Sequence, residues 1–185
     1  MTVLFVQGAG EDVHDRWDDK LVKSLERGLG PGCPVRYPRM PDEAEPRYAP
    51  WKAALLDELE SLEAGAVLVG HSVGGTTLLH ALAEQPLRRK LSAVFLIAAP
   101  FIGDGGWPSE DIQARADFSE CLPAGVPIFL YHGTDDEIVP HAHVHLYARA
   151  IPQALVRTLA GRDHQLNNDL SEVARDIRSL TRETG

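Results

Sequence analysis

A chain of 185 residues, 44% hydrophobic and 24% charged, is long enough for one domain that buries roughly 70% of its unfolded surface. Its net charge of −9, with the basic residues scattered, leaves no footprint for DNA or RNA. The longest apolar run, AVFLIAAPFI, is about half a membrane span and holds a proline, and the start MTVLFVQGAG has no basic flank, so the expectation is a cytoplasmic protein without a membrane partner.

Short apolar or β-branched runs alternate with amphipathic segments along the chain. A strand is predicted over 3–6, followed by the small-residue loop QGAG and a helix carrying Trp17, Leu21, Leu25 and Leu29 at four-residue spacing. A second strand over 35–37 leads into a long connection, RMPDEAEPRYAP, and then a helix striped by Trp51, Leu55, Leu59 and Leu62. Strands over 66–69, 93–98, 126–131 and 154–159 follow, with helices at about 73–84, 141–150 and 169–182. In the last helix Asp169 and Glu172 have capping-box spacing, and Val173, Ile177 and Leu180 share the apolar face. This alternation predicts an α/β fold: one domain over 1–185 with a mainly parallel six-stranded sheet and helices on both faces. The two longest connections, 39–50 and 100–125, each follow a strand and are expected at the carboxyl edge of the sheet, where open α/β folds bind ligands.

Cys33 and Cys121 have no metal or redox spacing and no histidine near them in sequence, so free thiols are expected. The triplet His141, His143 and His145 alternates at i, i+2 and i+4, which a helix cannot gather on one face, and no metal or cofactor is expected. Gly8-Ala9-Gly10 fails as a dinucleotide fingerprint because Val13 takes the third glycine position.

The stretch VLVGHSVGGTTLLHAL passes from a strand pattern to a helix pattern with no linker. Gly70-His71-Ser72-Val73-Gly74 is a G-x-S-x-G sequence in strand-turn-helix context, which would hold the Ser72 hydroxyl out above a helix N-terminus. A serine needs a base, an acid to orient it and donors for an oxyanion. His164, after the sixth strand, is the candidate base; Asp135 and Asp136, after the fifth, are candidate acids, with Asp104 after the fourth as the alternative. Backbone N–H donors are expected from Val73 and from the QGAG loop, where small Gly8 and Ala9 let the main chain approach a substrate. Phe101, Ile102 and Trp107 are candidate walls of an apolar substrate pocket.

The segments GAGEDVHDRW, MPDE, GHSVGG, GTDDEIVP and GRDHQLNN resemble those of the α/β-hydrolase superfamily, and are similar to the small serine hydrolases grouped around retinoblastoma-binding protein nine. The resemblance implies a minimal fold with little or no lid, and puts the acid at the fifth position of H-G-x-x-D-x-x-V, which is Asp136. It maps the nucleophile onto Ser72, the base onto His164 and the oxyanion donors onto Ala9 and Val73. Two positions depart from the pattern: Gln7 stands where a histidine is usual, and Asp163 precedes the histidine where a small residue is usual. The activity implied is hydrolysis of a small ester, thioester or activated amide through an acyl-enzyme, with a small-molecule acyl substrate as partner. A non-catalytic binding protein of the same fold and an acyltransferase using the same residues are the alternatives.

Overall fold

A computed structural model describes residues 1–180 apart from Pro86, Arg88 and Ala116. Six strands, β1 (Val3–Val6), β2 (Val35–Arg36), β3 (Ala66–His71), β4 (Leu91–Ile97), β5 (Ile128–Gly133) and β6 (Leu155–Leu159), form one sheet in the order β2-β1-β3-β4-β5-β6. Every pairing in it is parallel.

The two faces are sorted by side-chain alternation along the strands. Leu4, Val6, Leu68, Val94, Leu96, Ile128 and Leu130 point to one face, under α2 (Tyr48–Ser61), α3 (Ser72–Glu84), the short α4 (Phe118–Cys121) and α5 (Ala142–Ala150). Val3, Phe5, Val67, Val69, Phe95, Phe129 and Tyr131 point to the other, under α1 (Asp19–Leu29) and α6 (Ser171–Leu180). Strands covered on both sides must be apolar at every position, and all four residues of β1 are buried. Among the described residues no helix is long and apolar enough to cross a membrane.

The predicted elements all form, and three details differ. The second strand is two residues long. Trp17 leaves the apolar stripe: a π-helical turn, Val13–Asp18, precedes α1 and its wider winding rotates the face, so Leu21, Val22 and Leu25 are buried while Trp17 is 46% exposed. The capping box does not form: the Asp169 Oδ1 accepts the N–H of Ser171, two residues on, at 2.9 Å where the box would use that of Glu172, and the Asp169 N–H goes to the Leu166 carbonyl. The last two residues predicted helical, 181 and 182, lie outside the described residues.

From β1 the chain first steps outward to β2, then crosses back over β1 to β3 and proceeds the other way. The carboxyl ends of β1 and β3 therefore flank the switch point where open α/β sheets leave a crevice. Val6 pairs with Gly70, so two residues further on Gly8 and Ser72 stand level at that crevice. The connections 39–50 and 100–125 meet above the same edge, where Arg47 is paired with Asp111 at 3.1 Å.

Candidate functional site

Ser72 follows the last residue of β3 directly and is the first of α3, with φ at 50°. A left-handed serine costs about 1–3 kcal/mol, and the surroundings enforce it. A Cβ on Gly74 would lie 2.0 Å from the Gln7 carbonyl oxygen, and one on Gly70 would lie 2.5 Å from the Gly75 Cα. The glycines thus let α3 pack back on β1 and β3 immediately after the turn, which is why the strand needs no linker before the helix. The side chain of Ser72 is left at the N-terminus of α3, where the helix dipole favours negative charge.

Asp136 follows β5 and His164 follows β6, and His164 Nδ1 lies 2.8 Å from Asp136 Oδ2. That carboxylate is fully engaged. Its Oδ1 accepts the N–H groups of Ile138 at 2.9 Å and Val139 at 2.8 Å, and its Oδ2 also faces His132 Nε2 at 3.1 Å. Burial opposes its ionisation, but the bonds from His132 and His164 outweigh it and hold Asp136 well below the usual carboxylate range. His164 shifts down as well: burial disfavours its charged form, the bond to Asp136 opposes this in part, and the charge of His71 adds to the lowering. With Nδ1 on the carboxylate, Nε2 is the ring nitrogen left for the cleft.

The other candidate acids sit elsewhere. Asp135 is occupied by turn contacts, its Oδ1 with the Thr134 hydroxyl at 2.8 Å and its N–H with the Arg162 carbonyl. Asp104 lines a separate cleft with Phe101, Arg115 and Leu146.

The loop after β1 is held on both sides of Ala9. The Gly8 N–H donates to Asp18 Oδ2 at 2.7 Å and the Gly10 N–H to the Glu43 carbonyl at 2.7 Å, while no acceptor among the described residues takes the Ala9 N–H. Gln7, where a histidine is usual, is fully buried; its Nε2 donates to Glu43 Oε2 at 2.6 Å and its Oε1 accepts the Met40 N–H at 3.0 Å. The departure from the family pattern therefore serves to tie the MPDE segment to the end of β1.

Two clefts flank the elbow. One, of about 430 Å³, is lined by Ala9, Trp17, His71, Ser72, Ile138 and His164 among others, and so gathers the serine and the histidine in one space. The second, of about 270 Å³, starts at Val73 and runs between Tyr48, Trp51, Thr77, Ile102 and Trp107. Phe101 does not reach it. That ring is buried edge-on against Tyr147, centroids 5.1 Å apart.

Trp17 and Ile138, 46% and 61% exposed on the wall of the serine cleft, were not foreseen from sequence. Ile138 carried a signal, an apolar side chain in a polar turn beside a strand end. The four-residue spacing of Trp17 with Leu21 and Leu25 predicts burial, and the structure exposes it. Of the three clustered histidines, His143 accepts the Phe101 N–H on Nδ1 at 2.9 Å, and no group of three potential metal ligands converges among the described residues.

A family model described as serine hydrolase matches residues 4–169. No curated protein matches the chain by sequence. Among solved structures, an α/β serine hydrolase without lid from Xanthomonas campestris is similar at 19% identity and TM-score 0.67, covering 98% of this chain and 81% of that one. The esterase domain of a Rhodothermus marinus protein is similar at 22% identity and TM-score 0.70, over 98% and 86%. A monoacylglycerol lipase from Paleococcus ferrophilus is similar at 17% identity and TM-score 0.68, over 97% and 93%. At these identities the likeness concerns the fold.

Proposed function

The chain belongs to the serine hydrolase family, and from that premise we propose that Ser72, His164 and Asp136 are a catalytic triad that hydrolyses small esters, thioesters or activated amides through an acyl-enzyme. The observation that carries this reading is the short Asp136–His164 bond beside a left-handed serine in one cleft.

Ser72 Oγ attacks the acyl carbon while His164 Nε2 takes its proton, and Asp136 fixes the ring tautomer and offsets the imidazolium charge. The oxyanion receives the N–H groups of Val73, at the first turn of α3, and Ala9, whose neighbours are already engaged. Collapse expels the alcohol, thiol or amine, which leaves with the proton held by His164. Water then attacks the acyl carbon, giving its proton to His164, and the carboxylic acid departs as Ser72 recovers the proton. The clefts on either side of the elbow suit a substrate with an apolar group on each side of the scissile bond: one group against Trp17 and Ile138, the other between Ile102, Trp107 and Trp51.

Steady-state hydrolysis of p-nitrophenyl acetate, butyrate and octanoate by the wild type and Ser72→Ala tests the reading. Saturable turnover that disappears in the variant is expected. Equal turnover by both proteins would remove Ser72 from the reaction.

A further inference from the structure

Next to the proposed triad lies a second aspartate–histidine pair that the mechanism does not use. His71, the last residue of β3, and Asp18, at the end of the π-helical turn, have side chains 1% and 0% exposed. His71 Nδ1 is 2.9 Å from each Asp18 oxygen, and its Nε2 is 3.1 Å from the backbone carbonyl of His164. A carboxylate and a carbonyl only accept hydrogen bonds, so both ring nitrogens must carry hydrogen and the ring is an imidazolium. Asp18 is its counter-ion: the same carboxylate also accepts the Gly8 N–H at 2.7 Å and the Gln165 side-chain amide at 3.3 Å.

These bonds reach three segments at once, each beside a group of the proposed reaction. Gly8 precedes Ala9, His71 precedes Ser72, and the acceptor of His71 Nε2 is the main chain of His164 itself. The approach is close: a Cβ on Gly8 would lie 3.2 Å from both His71 Nδ1 and Ser72 Cβ. We propose that Asp18 and His71 form a buried ion pair that positions the oxyanion loop, the elbow and the base-bearing loop relative to one another. The inference rests on the triad reading above. Although the edge of His71 lines the serine cleft, neither residue bonds the reacting atoms in it, and both act through Ala9, Ser72 and His164.

The charged and titratable groups around His71 are Asp18 from the π-helical turn, His164 after β6, with ring centroids 4.9 Å apart, and Asp136 after β5; Tyr37, after β2, lies in the field of Asp18. Burial acts against the charge on His71, and Asp18 overrides it, raising the imidazole above its ordinary value. A cation at this distance disfavours a second one on His164.

Two measurements test the pair. In protein carrying ¹⁵N-histidine at pH 7, His71, assigned by its loss in His71→Asn, should show two ring N–H signals. A neutral ring with one would overturn the ion pair whatever the enzyme's activity. In Asp18→Asn, which keeps the shape and loses the charge, kcat for p-nitrophenyl acetate should fall by about 10- to 100-fold with KM within about 2-fold, and the acid limb of kcat/KM should move to higher pH, because His71 without its counter-ion gives up the charge that opposes protonation of His164, a larger effect than the loss of the Asp18 field that favours it. A folded Asp18→Asn with wild-type kcat and acid limb would overturn the positioning role. Should that variant not fold, Gln165→Leu, which removes only the longest bond to Asp18 and keeps both charges, should lower kcat about 2- to 5-fold at unchanged KM, and no change would count against the proposal. Failure of the triad reading is seen separately, as Ser72→Ala retaining wild-type turnover, and leaves the His71 signals readable.

Discussion

The two aspartate–histidine pairs, Asp136–His164 and Asp18–His71, are alike in chemistry and nearly alike in length, 2.8 and 2.9 Å, yet their imidazoles shift in opposite directions. The difference lies in the second ring nitrogen and in exposure. His164 is 14% exposed, and its Nε2 meets the cleft; His71 is 1% exposed, and its Nε2 meets a carbonyl that only a proton can satisfy. One carboxylate partner therefore gives a neutral ring with a free lone pair in the first case and a fixed cation in the second. A histidine beside an aspartate is read as a base or as a structural charge only after both nitrogens have been accounted for.

Substitutions should separate the pairs most sharply in turnover. His164→Ala is expected to lower kcat by about 10⁵-fold, against the one to two orders of magnitude expected for Asp18→Asn, measured on the same p-nitrophenyl ester. Similar losses in the two variants would mean that the pairs do not differ in kind. Asp136→Asn should cost about 10⁴-fold in kcat, because an amide can present an N–H to His164 Nδ1 and stabilise the wrong tautomer. A loss under 10-fold would make Asp136 a turn residue.

The pH dependence sharpens the contrast further. His164 must be neutral to accept a proton, and its protonated form is disfavoured by burial, so kcat/KM should hold down to pH values below the ordinary histidine value of about 6.5 and fall only beneath it. An acid limb above that value would show the Asp136 bond dominating over burial. For the other pair the consequence is stability. His71, raised in the fold, contributes fully below about pH 6.5 and loses its contribution as pH rises through its folded value; Asp18, lowered, contributes fully above about pH 3.9 and loses it as pH falls through its own. The difference in Tm between wild type and Asp18→Asn should accordingly be greatest between those limits. A difference that grows toward alkaline pH would contradict a charged His71.

A separate effect, on stability and not on turnover, concerns a further histidine with no carboxylate bonded to it. His80 is fully buried against Phe118 and Tyr48, neither ring nitrogen has a partner among the described residues, and burial lowers it to about 4. The unfolded chain then binds more protons between about pH 6.5 and 4, so stability should decline by about 3 kcal/mol on acidification through that range. His80→Leu, followed by urea unfolding at several pH values, should flatten that slope. An unchanged slope would place the titration elsewhere.

How far the molecule could be read in its sequence follows from the range of the forces involved. The strands, the Trp51-Leu55-Leu59 stripe and the G-x-S-x-G joint are local, set by periodicity and by glycines within a few residues of one another, and all were legible. His164 and the Asp135–Asp136 pair are legible because each closely follows a strand of a parallel sheet, which sends strand ends to one edge, whereas the choice of Asp136 within that pair comes from the spacing of the family it resembles. Asp18 did not stand out. It is one of three aspartates in HDRWDD, and only the π-helical turn decides that it, and not Asp15 or Asp19, faces inward. Trp17 was misjudged for the same reason, since that turn breaks the four-residue spacing from which its burial was expected. Gln7 departs from the family pattern for a reason no local signal carries, because its partners, Met40 and Glu43, lie more than 30 residues away.

Intact-protein mass spectrometry after exposure to a fluorophosphonate, on wild type, Ser72→Ala and His164→Ala, tests the central claim most directly. One adduct per wild-type chain, none on Ser72→Ala and sharply slowed labelling of His164→Ala is the predicted result. A folded wild type that takes no label, or a Ser72→Ala variant that still takes one, would contradict an activated serine at the elbow.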